Sequence, residues 1–109
     1  MTQCTCLVQE GQISQDRQSV LRHRMTEFAI AHFGSAAEIA WIEVAKNNGF
    51  TAGKPSNSVL IMMEADRPLQ RHQREPMLKE LGDVWMDISQ LGADEVVTVI
   101  RDPQTRKDA

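Results

Sequence analysis

The sequence predicts an α+β fold: a tandem β-α-β repeat forming a four-stranded mixed sheet with two helices on one face. Three observations predict it. Short β-rich apolar runs occur at four places, two stretches carry apolar residues at helical spacing, and the two halves match at a repeat of about 55 residues.

The elements follow in chain order. Residues 3–9 alternate weakly between apolar and polar and read as a strand, which Gly11 breaks. Ser14 is a helix N-cap, with Asp16 and Arg17 in the first turn. Leu21, Met25, Phe28 and His32-Phe33 then recur every three to four residues, and Gly34 closes the helix. "AEIAWIEVA" reads as the second strand. "KNNGFTAGKPSNS" is rich in Asn, Gly and Ser and reads as a loop, in which a glycine-rich hairpin accounts for Phe50, Gly53 and Lys54 as well as a pocket border would. "VLIMMEA" is a continuous apolar run, expected as a central strand covered on both faces. "DRPLQRHQRE" is a polar approach, and Pro76 fits the first turn of the next helix better than its interior. Leu78, Leu81, Trp85 and Ile88 mark that helix, which Gly92 ends, and "DEVVTVI" is the last strand. The organisation is one domain over 1–109, with pseudo-repeats 2–46 and 58–102 and a polar tail over 103–109.

Two right-handed β-α-β units side by side place both helices on one sheet face. A chain of 109 residues has no third layer for the other face, so another subunit is its expected cover. The net charge is −3 with no basic block, which argues against nucleic acid. Apolar runs are far shorter than the roughly 20 residues a membrane span needs, and the start lacks a basic-then-apolar pattern. The expected address is the cytoplasm. Cys4 and Cys6 share one strand face and read as buried small hydrophobes. His23, His32 and His72 show no metal-ligand spacing, so neither a metal nor another cofactor is expected. Trp41 and Trp85 sit in apolar patterns and read as packing or subunit contacts.

At the level of motifs the chain resembles the tautomerase superfamily. Its first strand ends Glu10-Gly11, where family chains have Glu-Gly-Arg. In that register Thr2 falls on the family's catalytic N-terminal proline and Gln12 on its arginine. "GKPSNSVLIMMEADRP" resembles the malonate semialdehyde decarboxylase and cis-3-chloroacrylic acid dehalogenase branch, where an arginine pair grips a substrate carboxylate. The resemblance implies a homotrimer and a small carboxylate ligand. It implies Arg67 as the first arginine and Arg71 as the second, displaced by an insertion, and it puts Glu38 near an acidic site residue. Gln12, Phe50 and Lys54 would border the pocket. Each arginine reads equally well as a solvated charge at a helix start, and Glu38 as a solvent-facing strand residue.

The missing proline changes the chemistry. Proton transfer beside a carbonyl needs a base with a pKa near the working pH, and a chain-terminal amine starts at roughly 7.7–8.0. Thr2 is small enough for Met1 to be removed, which would expose a threonine amine. With Met1 in place, the Thr2 nitrogen is an amide and no base. Three readings therefore stand: an isomerase or lyase for a small oxo-carboxylate with an altered N-terminal base; an inactive relative that binds an anion or partner; and a ferredoxin-like dimeric α+β binding protein.

Overall fold

The structure is a computed structural model that describes residues 1–103; beyond Pro103, the polar tail expected from the sequence lies outside the described residues. The chain runs β1 (Thr2–Gln9), α1 (Gln15–Phe33), β2 (Ala37–Val44), β3 (Phe50–Thr51), β4 (Lys54–Pro55), β5 (Val59–Glu64), α2 (Arg71–Ser89) and β6 (Val96–Arg101). The main sheet has the order β2-β1-β5-β6. β1 pairs parallel to β2 and β5 parallel to β6, while β1 and β5 meet antiparallel in the centre. Each β-α-β half thus closes on itself, with no strand between its parallel pair. A ferredoxin-like fold splits that pair, so the ferredoxin-like reading is overturned by the strand order.

Period-2 alternation fixes the faces of the sheet. Cys4, Cys6 and Val8 of β1 and Val59, Ile61 and Met63 of β5 are buried under the helices. Their counterparts are Leu21, Met25, Phe28, Ala29 and Phe33 of α1 and Leu81, Val84 and Trp85 of α2. Among the described residues nothing packs over the opposite face. It carries Leu7, Leu60 and Met62, half-buried, beside Ile42, Val97 and Val99, which are exposed. The run over residues 59–65 is thus a central strand that the described residues cover on one face only.

α1 is bounded as its sequence predicts. Ser14 Oγ accepts from the Arg17 amide at 3.3 Å, and Gly34 takes the left-handed conformation, φ 74°. α2 departs from its prediction at both ends. It starts at Arg71, because Gln70 and Gln73 form a reciprocal capping box a full turn before Pro76. Pro76 therefore lies inside the helix and removes the amide that would bond to the His72 carbonyl. Its C-cap is Gln90 at φ 65°, two residues before Gly92. Gly92 instead turns the chain into β6, its amide bonded to Glu95 Oε1 and its carbonyl to the Glu95 amide.

The Asn- and Gly-rich loop contains a small hairpin, β3–β4, turning at Ala52 and Gly53, both at positive φ. Such paired left-handed residues match the twist of a two-residue hairpin. Trp41 and Trp85 stack at 5.8 Å between centroids, and Arg22 sits 5.5 Å from the Trp41 ring centre. Neither buried indole N–H has a hydrogen-bond partner among the described residues. No helix among them is long and apolar enough to cross a membrane.

Candidate functional site

The antiparallel pairing of β1 with β5 brings together what the sequence separates. Cys4 faces Met63, and continuing that register sets Thr2 level with Ala65, at the same sheet end as Asp66 and Arg67. The close of α1 completes this end. The Thr2 amide donates to the Ala36 carbonyl at 2.9 Å, and the Thr2 hydroxyl lies 2.8 Å from Ser35 Oγ. Thr2 is buried, while Met1 is largely exposed. The N-terminus of the strand is thus fixed by its own backbone as well as its side chain.

Arg67 reaches across this end. Its Nη1 donates to the His32 carbonyl at 3.2 Å and pairs with Asp66 Oδ1 at 2.5 Å. Arg71 points away, nine-tenths exposed and paired with Glu75 one helical turn on. Glu38, second residue of β2, lies beside Gln3, whose side-chain Nε2 donates to it at 3.0 Å. Sequence reasoning missed two further groups here. Arg101, ending β6, pairs with Glu64, ending β5, at 2.9 Å; parallel registration of two strands ending in opposite charges is the signal that could have found them. Arg74 clamps the 66–70 segment to the end of β6, donating to the Ile100 and Leu69 carbonyls and, at 2.7 Å, to Asp102. The Leu69 amide, with the Arg74 guanidinium, holds the Asp102 carboxyl below the usual carboxylate range.

Gln12, Phe50 and Lys54 lie at the other end. Eight residues of β1 at about 3.3 Å each separate the two ends by roughly 23 Å. There a cleft of about 480 Å³ is lined by Glu10, Gly11, Gln12, Lys46, Asn57 and Leu91. Gln12 Oε1 accepts from the Gln9 amide at 2.9 Å, and its Nε2 donates to the Asn57 carbonyl. Phe50 is exposed on the hairpin arm, beside a groove of about 420 Å³ that runs onto the open sheet face between Leu7, Leu60 and Val97. One subunit therefore brings Thr2, Glu38 and Arg67 to one end and leaves Gln12, Phe50 and Lys54 at the other. Among the described residues no three His, Cys, Asp or Glu side chains gather within reach of one metal ion.

No family model matches the chain, and no curated protein matches its sequence. Solved structures match its fold over nearly the whole length. Native Ps01740 superposes with a TM-score of 0.85 at 19% identity, covering 98% of both chains. N1, a member of the cis-3-chloroacrylic acid dehalogenase family, gives 0.83 at 13% identity, over 98% of this chain and 78% of its own. The symmetric trimer of fused 4-OT, Q0, gives 0.79 at 12% identity, over 93% of this chain and 85% of its own. The chain has the fold of the tautomerase superfamily.

Proposed function

From a chain with the tautomerase-superfamily fold, we propose a cytoplasmic homotrimer that moves a proton on a small oxo-carboxylate, with the Thr2 amine as base once Met1 is removed. The observation that carries the proposal is the anchoring of the β1 N-terminus. Thr2 is tied to Ser35 and Ala36 at the sheet end that also carries Arg67. A base must be held within hydrogen-bond reach of the proton it takes, and a frayed terminus would not be. In this proposal Arg67 exchanges its contact with Asp66 for the substrate carboxylate, which an arginine binds as a planar fork. Glu38 lies one strand away and orients water or substrate.

Trimer formation is supported by the open sheet face. Leu7, Ile42, Leu60, Met62, Val97 and Val99 form one apolar surface there, which none of the described residues covers. Packing three such faces together would let the Gln12, Phe50 and Lys54 end of one subunit approach the Thr2 end of its neighbour. The trimeric fused 4-OT of the same fold accords with this arrangement.

A second reading is favoured by specific contacts. Asp66 already neutralises Arg67, and Gln12 is locked to Gln9 and Asn57. In that reading the protein keeps the fold and assembly and binds an anion or a partner without turnover. Ketonisation of enol-phenylpyruvate, followed by ultraviolet absorbance, separates the two. Turnover above buffer that Arg67→Ala abolishes supports the enzyme; a folded trimer without turnover supports the binding protein.

A further inference from the structure

Cys4 and Cys6 are buried, as expected for small hydrophobes, and their sulfurs gather with that of Met25 at contact distance. Both stand on the helix face of a central strand, and Met25 of α1 lies over them. The three sulfurs form a nearly regular triangle: Cys4 Sγ to Cys6 Sγ is 4.0 Å, Cys4 Sγ to Met25 Sδ 3.7 Å, and Cys6 Sγ to Met25 Sδ 3.6 Å. The point equidistant from all three lies about 2.2 Å from each, close to the roughly 2.3 Å of a thiolate–metal bond. The donor set therefore needs little rearrangement to hold one ion at its centre.

The chemistry of the donors selects the ion. Thiolates and thioethers are soft ligands, which favour monovalent copper over harder divalent cations. All three residues are at most 2% exposed, so water does not compete for the ion. Two thiolates and one monovalent ion leave a net negative charge. Arg22, over the Trp41 ring on the strand beside Cys6, brings a positive charge to that side of the core. We propose that Cys4, Cys6 and Met25 form a three-sulfur site for a single Cu(I) ion. The ion enters without change of oxidation state, and both thiols release their protons to solvent as it binds.

The test is an anaerobic titration of the full-length protein with Cu(I) supplied as its bicinchoninate complex. It is run on native protein and on protein refolded from urea in the presence of the complex, so that slow uptake through a closed core does not hide binding. The expected result is one ion withdrawn per chain, with ultraviolet thiolate-to-copper absorption. Cys6→Ser should abolish withdrawal. Met25→Leu keeps the core volume and should weaken binding by about tenfold or more, with copper-free circular dichroism and melting unchanged. An intact chromophore with both native and refolded protein would overturn the site. So would uptake that Met25→Leu leaves unchanged.

Discussion

Gln9 is a polar residue only 7% exposed, and replacing it with alanine should loosen the loop that carries the hairpin. Its Oε1 accepts from the Asn47 amide at 3.0 Å, and its Nε2 donates to the Ser56 carbonyl at 2.7 Å. One side chain thus ties both ends of the hairpin arm to β1. Two hydrogen bonds at about 0.5–1.5 kcal/mol net each give a loss of about 2 kcal/mol. At roughly 4–8 °C per kcal/mol for a domain near this size, the melting midpoint should fall by about 8–16 °C at fixed protein concentration. The same site sets a second expectation. A Cβ on Gly49 would lie 2.3 Å from Gln9 Nε2 and 2.5 Å from the Ser56 carbonyl. Gly49→Ala should therefore destabilise, and less in the Gln9→Ala background, where one of the two clashes is gone. Urea unfolding of the four proteins measures this coupling. A Gln9→Ala loss below about 0.5 kcal/mol, with Gly49→Ala costing the same in both backgrounds, would refute the clamp.

Asp102 should make stability acid-sensitive. Its folded pKa lies below the ordinary 3.8, so its contribution is fully present above that value and is lost as pH falls through the lowered one. Asp102→Asn should flatten the fall of the urea midpoint between about pH 5 and 2, and an unchanged slope would contradict the Leu69–Arg74–Asp102 clamp. On the open face, Ile42→Lys combined with Val99→Lys should convert a trimer to monomers in sedimentation with far-ultraviolet circular dichroism intact, whereas an unchanged mass would show that the face is not the interface. Pro76→Ala restores an amide to the interior of α2 and should raise the melting midpoint by an amount equivalent to about 1–3 kcal/mol, read by calorimetry at fixed concentration; a lower midpoint would mean the ring makes contacts worth more than the lost bond.

The main strands and helices were legible because each carries a local signal. Apolar runs marked the strands, and Ser14 and Gly34 marked α1 through cap chemistry that acts within one turn. The ends of α2 were not, because two competing signals pointed the wrong way. Pro76 and Gly92 are strong punctuators, but the Gln70–Gln73 box and a left-handed Gln90 took their roles. The candidate site was legible only where a strand pairing could be inferred. Bringing Arg67 to the same sheet end as Thr2 depends on the antiparallel register of β1 and β5, which no short motif encodes. The partners of Arg67 were beyond reach, since its contact with the His32 carbonyl depends on where α1 stops over the sheet. Gln9, Arg74 and Met25 share this limit: each acts through a neighbour more than ten residues away in sequence, which no local pattern encodes.

The central claim is that the β1 N-terminus is the reactive end and that a free Thr2 amine is its base. Two preparations test it most directly: one shown by intact mass to begin at Thr2, the other shown to retain Met1. Both are assayed with enol-phenylpyruvate across pH. The claim predicts turnover only for the chain beginning at Thr2, rising through a single ionisation near 8 or somewhat below. Equal turnover by the two preparations, or none by a folded trimer beginning at Thr2, would contradict it.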